Sequence, residues 1–265
     1  MEIPEKFKNR NKNNRYNKYI SDKSKIYDTS MIEDTVSKVY ENISRGEKSL
    51  VIYGQPQSGK TDMMIGLCAK IFDEGHDVIV VLVQSITLLA KQNQTRFAQS
   101  GINPGPKWYE DAMEPDYEIK KGKHLLFCTK ENRHLNKLNE ITRKIDKIIV
   151  IDDETDYATP NSTVNKGKKT PINFKMTTLV GKSGIFIGVT ATPARNALNN
   201  TLDTNPNNWV YFPVHSKYFG YEFFFPDPMK ANSYKFNCIF LGDESSNINI
   251  EVRNAFFDFL INVAF

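Results

Sequence analysis

Long apolar runs are missing from this sequence of 265 residues. No run reaches the roughly 18 apolar residues that a membrane-spanning helix needs, and residues 1–6 lack the apolar stretch of a signal peptide. Cysteine is scarce, since Cys68, Cys128 and Cys238 are too scattered for a disulfide framework or a metal cluster. We therefore expect a cytoplasmic protein without membrane partners, whose thiols are reduced.

Positive charge is concentrated near the N-terminus. Residues 1–25 contain eight Lys and Arg against three Asp and Glu, while the whole chain has a formal net charge of +4. The same segment is rich in Asn and poor in aliphatic residues, which predicts a flexible basic arm over residues 1–28. Two interpretations of this arm are open: it binds nucleic-acid phosphates through counterion release, or it is a solvated tail that aids solubility.

Short apolar segments alternate with segments of helical periodicity. This alternation predicts a mainly parallel sheet in an α/β sandwich. The predicted strands are residues 49–53, 77–84, 124–129, 147–152 and 184–190. The predicted helices are residues 31–48, 60–74, 88–99, 131–144 and 173–181. Residues 101–115 and 160–171 predict loops.

The C-terminal part has a different character. Residues 210–225 are strongly aromatic, which favours packing in a core or interface over a stacking surface for bases. Residues 250–265 predict a helix. A chain that ends on Val263, Ala264 and Phe265 is typical of a partial protein.

A glycine-rich loop follows the first predicted strand and precedes a predicted helix, which is the setting of a phosphate-binding P-loop. Lys60 is expected to reach the β- and γ-phosphates of ATP, and the Thr61 hydroxyl to ligate Mg²⁺. Backbone N–H groups of the loop surround the phosphates at the positive end of the helix dipole. The predicted nucleotide-binding residues are Gly54, Gln55, Gln57, Ser58, Gly59, Lys60 and Thr61.

A cluster of carboxylates follows the fourth predicted strand: Asp152, Asp153, Glu154 and Asp156. Ligands bind at this end of the strands in open α/β sheets. We expect Asp153 to hold Mg²⁺ and Glu154 to orient the attacking water, so that both act with Lys60 in catalysis. Four carboxylates among five residues repel one another, and a bound cation offsets that cost. The alternative is a solvated acidic turn.

Thr190 and Thr192 end the fifth predicted strand and complete an ordered set of motifs. This set resembles the first RecA-like lobe of superfamily-two helicases, with Lys60 and Thr61 in motif I, 153–156 in motif II, and the two later threonines in motif III. The resemblance implies a P-loop NTPase lobe with a three-layer sandwich. It also implies that Thr190 and Thr192 couple hydrolysis to nucleic-acid movement.

Finer details are similar to one branch, the Z-one domain proteins, which are helicase-like ATPases found with bacterial restriction and defence genes. The similar segments are residues 57–61, 89–96, 151–158, 171–173, 188–193 and 220–221. The resemblance implies Gln92 and Arg96 as candidate contacts to nucleic acid, DNA more than RNA. It implies a lobe over residues 29–248, with residues 249–265 beginning a truncated second lobe or a linker helix.

Members of this family continue into a second RecA-like lobe that carries an arginine finger. The expected partners are therefore nucleic acid and a second lobe or a nuclease. Hydrolysis by this chain alone is expected to be slow, because an arginine finger contributes on the order of 10³-fold or more. The leading hypothesis is an ATP- and Mg²⁺-dependent motor lobe acting on DNA. The alternative is a nucleotide-gated protein-interaction module that unwinds nothing.

Overall fold

The computed structural model describes residues 14–156, 170–192, 206–215 and 218. The chain divides into two units, Met1–Ser216 and Lys217–Phe265, and the fold given below is that of the first. None of the described helices combines the length and apolar character that a membrane span requires. Several predictions lie outside the described residues: the boundary at 248, the helix over 250–265, most of the aromatic run over 210–225 and nearly all of the loop over 160–171.

Seven described strands form one sheet. They are β1 (Ser49–Tyr53), β2 (Val78–Val83), β3 (Pro106–Trp108), β4 (His124–Thr129), β5 (Ile148–Asp153), β6 (Ile185–Thr190) and β7 (Trp209–Tyr211). Their order across the sheet is β3-β4-β2-β5-β6-β1-β7, and every neighbouring pair is parallel. The C-terminal ends of all these strands therefore lie at one edge. β2 contains only Val, Ile and Leu and is buried throughout, as suits a strand covered on both faces.

Six described helices cover the two faces of the sheet. They are α1 (Arg15–Ser24), α2 (Ser30–Ser44), α3 (Lys60–Asp73), α4 (Thr87–Gln99), α5 (Asn132–Thr142) and α6 (Pro171–Val180). Alternate residues of the central strands point into two separate cores. One core contains side chains of α1 to α4, and the other contains side chains of α5 and α6. Helices on both faces of a parallel sheet make the predicted three-layer α/β sandwich.

Over residues 14–28 the structure differs from the prediction of a flexible arm at 1–28, because α1 is ordered against α3. Tyr19 is only 6% exposed, and its hydroxyl donates to the backbone carbonyl of Asp62 at 3.0 Å. Lys23 Nζ and the Tyr27 hydroxyl donate to the two carboxylate oxygens of Asp62 at 2.9 and 2.7 Å. Composition predicts how a segment behaves alone, whereas these contacts depend on a partner distant in sequence.

The edge strands β3 and β7 are two further elements that the sequence did not predict. Each has three residues. β3 begins with Pro106, which lacks an N–H and so is tolerated at a sheet edge but not in the centre. β7 begins the aromatic run, where Tyr211 is 46% exposed and Phe212 is 1% exposed. Of these two rings, that of Phe212 is packed in the core as expected, and that of Tyr211 is not.

Candidate functional site

The loop between β1 and α3 has a backbone that requires its glycines. Gly59, immediately before α3, has a φ of +94°, which a residue with a Cβ rarely adopts. A Cβ added to Gly54 would lie 2.8 Å from the carbonyl oxygen of Phe212, just after β7. The N–H of Gly54 donates to the carbonyl of Thr190 at 3.1 Å. The loop is therefore fixed between the ends of β6 and β7.

Lys60 lies inside this loop. It is 8% exposed, and its ammonium donates to the carbonyl oxygens of Gly54 at 3.3 Å and Gln55 at 2.8 Å. Burial lowers the pKa of Lys60, while the carboxylates of Glu154 and Asp153 oppose that shift. A buried cation that faces carbonyl oxygens and two nearby carboxylates is suited to bind an anion that enters between them.

The acidic turn after β5 lies at the same edge of the sheet. Asp153 is 8% exposed, and its carboxylate accepts a hydrogen bond from the side-chain amide of Asn93 on α4 at 2.8 Å. Burial, and then the neighbouring Glu154 carboxylate, raise the pKa of Asp153 to about 6. Burial is also the largest cause of the raised pKa of Glu154, to which Asp156 adds. The turn thus concentrates negative charge in a poorly solvated place.

Lys130, which follows β4, supplies the cation next to this turn. Its ammonium lies 3.1 Å from Oδ1 of Asp152, and both side chains are 0% exposed. It also donates to the carbonyl oxygens of Asp153 and Glu154. The sequence predicts a bound cation that offsets the repulsion between the carboxylates. The Lys130 ammonium supplies part of that positive charge. The sequence feature that could have indicated this role is the position of Lys130 directly after a predicted strand.

One cavity of about 580 Å³ joins the P-loop to the acidic turn. The residues that line it come from the loop, from α3, from α4, from the end of β5 and from the position just after β2. They include Gln57, Gly59, Lys60, Thr61, Asn93, Arg96, Asp153 and Glu154. A cavity of similar size, about 590 Å³, lies at the opposite edge of the sheet and contains none of the motif residues. The first two motifs therefore meet in one place, at the C-terminal edge.

The third motif contacts the acidic turn but does not line this cavity. Thr190 Oγ1 donates to Oδ1 of Asp156 at 2.7 Å, and the Thr192 hydroxyl donates to the other carboxylate oxygen. The third motif is thus hydrogen-bonded to the second. Gln92 and Arg96 are both exposed on α4, and only Arg96 lines the cavity.

Two residues of this region were missed by the sequence analysis, Asn93 and Lys130. Asn93 lies between the predicted contacts Gln92 and Arg96 on α4, but its side chain faces the acidic turn. Helical spacing places residues three or four apart on one face and an adjacent residue about 100° away. Periodicity therefore indicates that Asn93 points elsewhere than Gln92, but not which strand end it meets.

The residues present fit a Mg²⁺ ion bound together with phosphate. Mg²⁺ prefers oxygen ligands and usually takes only one or two from protein side chains, beside substrate phosphates and water. The Thr61 hydroxyl and the Asp153 carboxylate line the same cavity. Among the described residues no group of three or more His, Cys, Asp or Glu side chains is placed to hold a metal ion. A divalent cation would relieve the charge that raises the pKa of Asp153.

The parallel sheet, the P-loop and the acidic strand end define a nucleotide-binding α/β protein of the P-loop class. The chain belongs to the family described as type III restriction enzyme, res subunit, whose model matches residues 23–195. This family is helicase-like, in agreement with the superfamily-two resemblance.

Comparison with solved structures finds a weaker likeness. The chain is similar to the Sulfolobus solfataricus SWI2/SNF2 ATPase core in complex with dsDNA, at 16% sequence identity and a TM-score of 0.42. The match covers 65% of this chain and 33% of that chain. A likeness at this level supports no conclusion about function. No curated protein matches the chain.

Proposed function

We propose that this chain is the ATP-binding and ATP-hydrolysing motor lobe of a protein that acts on DNA. The observation that carries the proposal is the single cavity lined by Lys60, Thr61, Asp153 and Glu154. Membership of a helicase-like family supports it. Within the superfamily-two helicases we propose the Z-one branch, on the sequence segments that resemble it.

Each residue has a chemical role in this proposal. The backbone N–H groups at the start of α3 and the Lys60 ammonium bind the phosphates of ATP. Thr61 and Asp153 would hold Mg²⁺, which when bound neutralises charge on the β- and γ-phosphate oxygens. Glu154 orients the attacking water and accepts its proton. Thr190 and Thr192 donate hydrogen bonds to Asp156. In this proposal, these bonds couple a change at the acidic turn during hydrolysis to the third motif.

We propose that a second lobe or a nuclease partner completes the site, and that DNA contacts the exposed side of α4 at Gln92 and Arg96. Arg96 lines the cavity as well, so the same helix borders both the nucleotide and the proposed DNA surface. Nucleic-acid binding would be weakened by salt, because it depends on the release of phosphate counterions.

Substituting Lys60 with alanine should raise the Kd for ATP by about 100-fold or more, because a charge-assisted contact to phosphate is lost inside a poorly solvated loop. Titration of the chain with a fluorescent ATP analogue measures this. Lys70→Ala is the matched control, since Lys70 lies on the same helix and pairs with Glu74 at the surface. An unchanged affinity of Lys60→Ala would reject the nucleotide site.

The motor is distinguished from a nucleotide-gated interaction module by the response to DNA. We expect single-stranded DNA to stimulate ATP turnover, and high salt to abolish that stimulation. The measurement is steady-state phosphate release with and without DNA at low and high salt. Nucleotide binding without any stimulation by DNA would favour the module.

A further inference from the structure

Lys130 connects three strand ends at the acidic turn. Its backbone N–H donates to the carbonyl of Val83, the last residue of β2, at 3.0 Å. Its ammonium lies 3.1 Å from the Asp152 carboxylate and donates to the carbonyl oxygens of Asp153 at 2.8 Å and Glu154 at 2.7 Å. The side chain therefore extends from the end of β4, past the end of β2, to the turn that follows β5.

The two carbonyl groups that Lys130 binds belong to the peptide units on either side of the Cα of Glu154. Fixing both peptide planes fixes the direction of the Cα–Cβ bond between them, because each residue has only two soft backbone torsions. Glu154 has a φ of 54°, a left-handed conformation that a residue with a Cβ avoids unless its surroundings impose it. The ammonium of Lys130 is one of the groups that impose it.

Thr155, the residue after Glu154, is held by β6. The N–H of Thr155 donates to the carbonyl of Val189 on β6 at 3.0 Å. A Cβ added to Gly188 would lie 2.8 Å from the Thr155 methyl carbon, so the turn packs closely against β6. Lys130 and β6 together leave the turn between them little freedom.

A gain in folding free energy alone does not explain why Lys130 and Asp152 are buried together. The cost of removing two charges from water often exceeds the attraction between them, and apolar side chains of similar volume commonly serve as well. A buried ammonium with one carboxylate and two carbonyl acceptors instead specifies one geometry. Lys130 does not line the cavity, so it does not contact a molecule bound there and acts through the groups of the turn that it holds.

We propose that Lys130 is a positioning residue that directs the Glu154 side chain toward the attacking water. The inference rests on the proposed function of Glu154. Lys130 lies outside the three motifs, and its contacts keep the backbone of the second motif in the conformation that hydrolysis requires.

Two variants separate this role from simple charge neutralisation. Lys130→Met alone removes the cation beside buried Asp152 and is expected to impair folding. Asp152→Asn removes the carboxylate but keeps the Lys130 ammonium and its hydrogen bonds to both carbonyl groups. The double variant Lys130→Met with Asp152→Asn removes the carboxylate, the ammonium and those bonds together. Comparing the double variant with Asp152→Asn isolates the loss of the ammonium, and the amide exchange of the turn reports the part of that loss that is due to the two carbonyl contacts.

The full chain is used for three measurements. Relative to Asp152→Asn, the double variant should slow single-turnover ATP hydrolysis by about 100-fold, because the reacting groups are misplaced. Its Kd for a fluorescent ATP analogue should change by less than about threefold. Backbone amides of residues 154–156 should exchange hydrogen faster in mass spectrometry. Asp152→Asn should stay within about threefold of the wild type in turnover.

Equal hydrolysis rates and equal amide exchange in Asp152→Asn and the double variant would overturn the proposal. Faster exchange, together with a wild type that binds but never hydrolyses ATP, would support the positioning of the turn by Lys130 and reject the proposed function. The two failures are therefore distinguishable.

Discussion

Replacing Glu154 with glutamine should lower ATP turnover by about 10²- to 10⁴-fold, the usual contribution of a general base. Glutamine keeps the size of the side chain but accepts no proton from water. Glu154 lines the cavity, whereas the phosphates are bound by the loop and Lys60. The affinity for ATP should therefore change by less than about threefold. Single-turnover hydrolysis and titration with a fluorescent ATP analogue measure the two quantities separately.

The pH dependence of turnover provides a second measurement on the same variant. Burial raises the pKa of Glu154, so its carboxyl becomes protonated at a higher pH than an exposed glutamate. Wild-type turnover should fall as the pH decreases through that raised pKa, and the residual turnover of Glu154→Gln should not follow the same titration. Glu118→Gln is the control, since exposed Glu118 pairs with Lys121 on the surface. A Glu154→Gln turnover equal to that of the control would contradict the assigned role.

The central fold could be predicted because its signals are local. β2, β4, β5 and β6 are short apolar runs bounded by polar residues, and helices of clear periodicity separate them. β3 and β7 were missed because each has only three residues, too few for a strand periodicity to be recognised in the sequence. α1 was missed for another reason. Its stability depends on Asp62 and on the surface of α3, which its own composition does not reveal.

The meeting of Lys60 and Thr61 with Asp153 and Glu154 in one cavity follows from parallel topology, since the C-terminal ends of parallel strands share an edge. Their roles stay predictions. Lys130 could not be placed by the same rule, because the strand order puts β2 between β4 and β5. Which side chain reaches past a neighbouring strand end depends on three-dimensional packing. Motifs predicted the groups proposed to meet ATP, and only the structure revealed the side chains that hold those groups.

Replacing Asp153 with asparagine should stabilise the chain while removing its Mg²⁺-dependent hydrolysis. The pKa of Asp153 is raised from 3.8 to about 6, mainly by burial and then by Glu154. A raised carboxyl pKa means that the folded state binds the proton more tightly than the unfolded state does. The resulting stability is fully present below about 3.8 and is lost as the pH rises through about 6. At pH values above that range the ionised carboxylate therefore costs the folded state free energy.

Asparagine has nearly the same shape and keeps an oxygen that accepts from Asn93, but it has no charge to desolvate. Well above the raised pKa the free energy of unfolding should increase by about 3 kcal/mol in Asp153→Asn. The gain should disappear toward the unperturbed pKa, where the wild-type carboxyl is protonated in the folded state. Urea unfolding followed by the fluorescence of Trp108 and Trp209, both in the first unit, measures the difference at each pH.

Mg²⁺ with a non-hydrolysable ATP analogue should stabilise the wild type more than Asp153→Asn, because a ligand stabilises the state that binds it. Asp146→Asn, an exposed substitution before β5, is the control and should shift the free energy of unfolding by less than about 0.5 kcal/mol. If Asp153→Asn were less stable than the wild type at high pH, the carboxylate would be a structural anchor. If Asp153→Asn were more stable than the wild type and inactive in hydrolysis, the ionised Asp153 carboxylate would destabilise the fold at the position where the proposed mechanism requires a metal ligand. We expect the second result, since Asp153 is only 8% exposed and burial is the largest cause of its raised pKa.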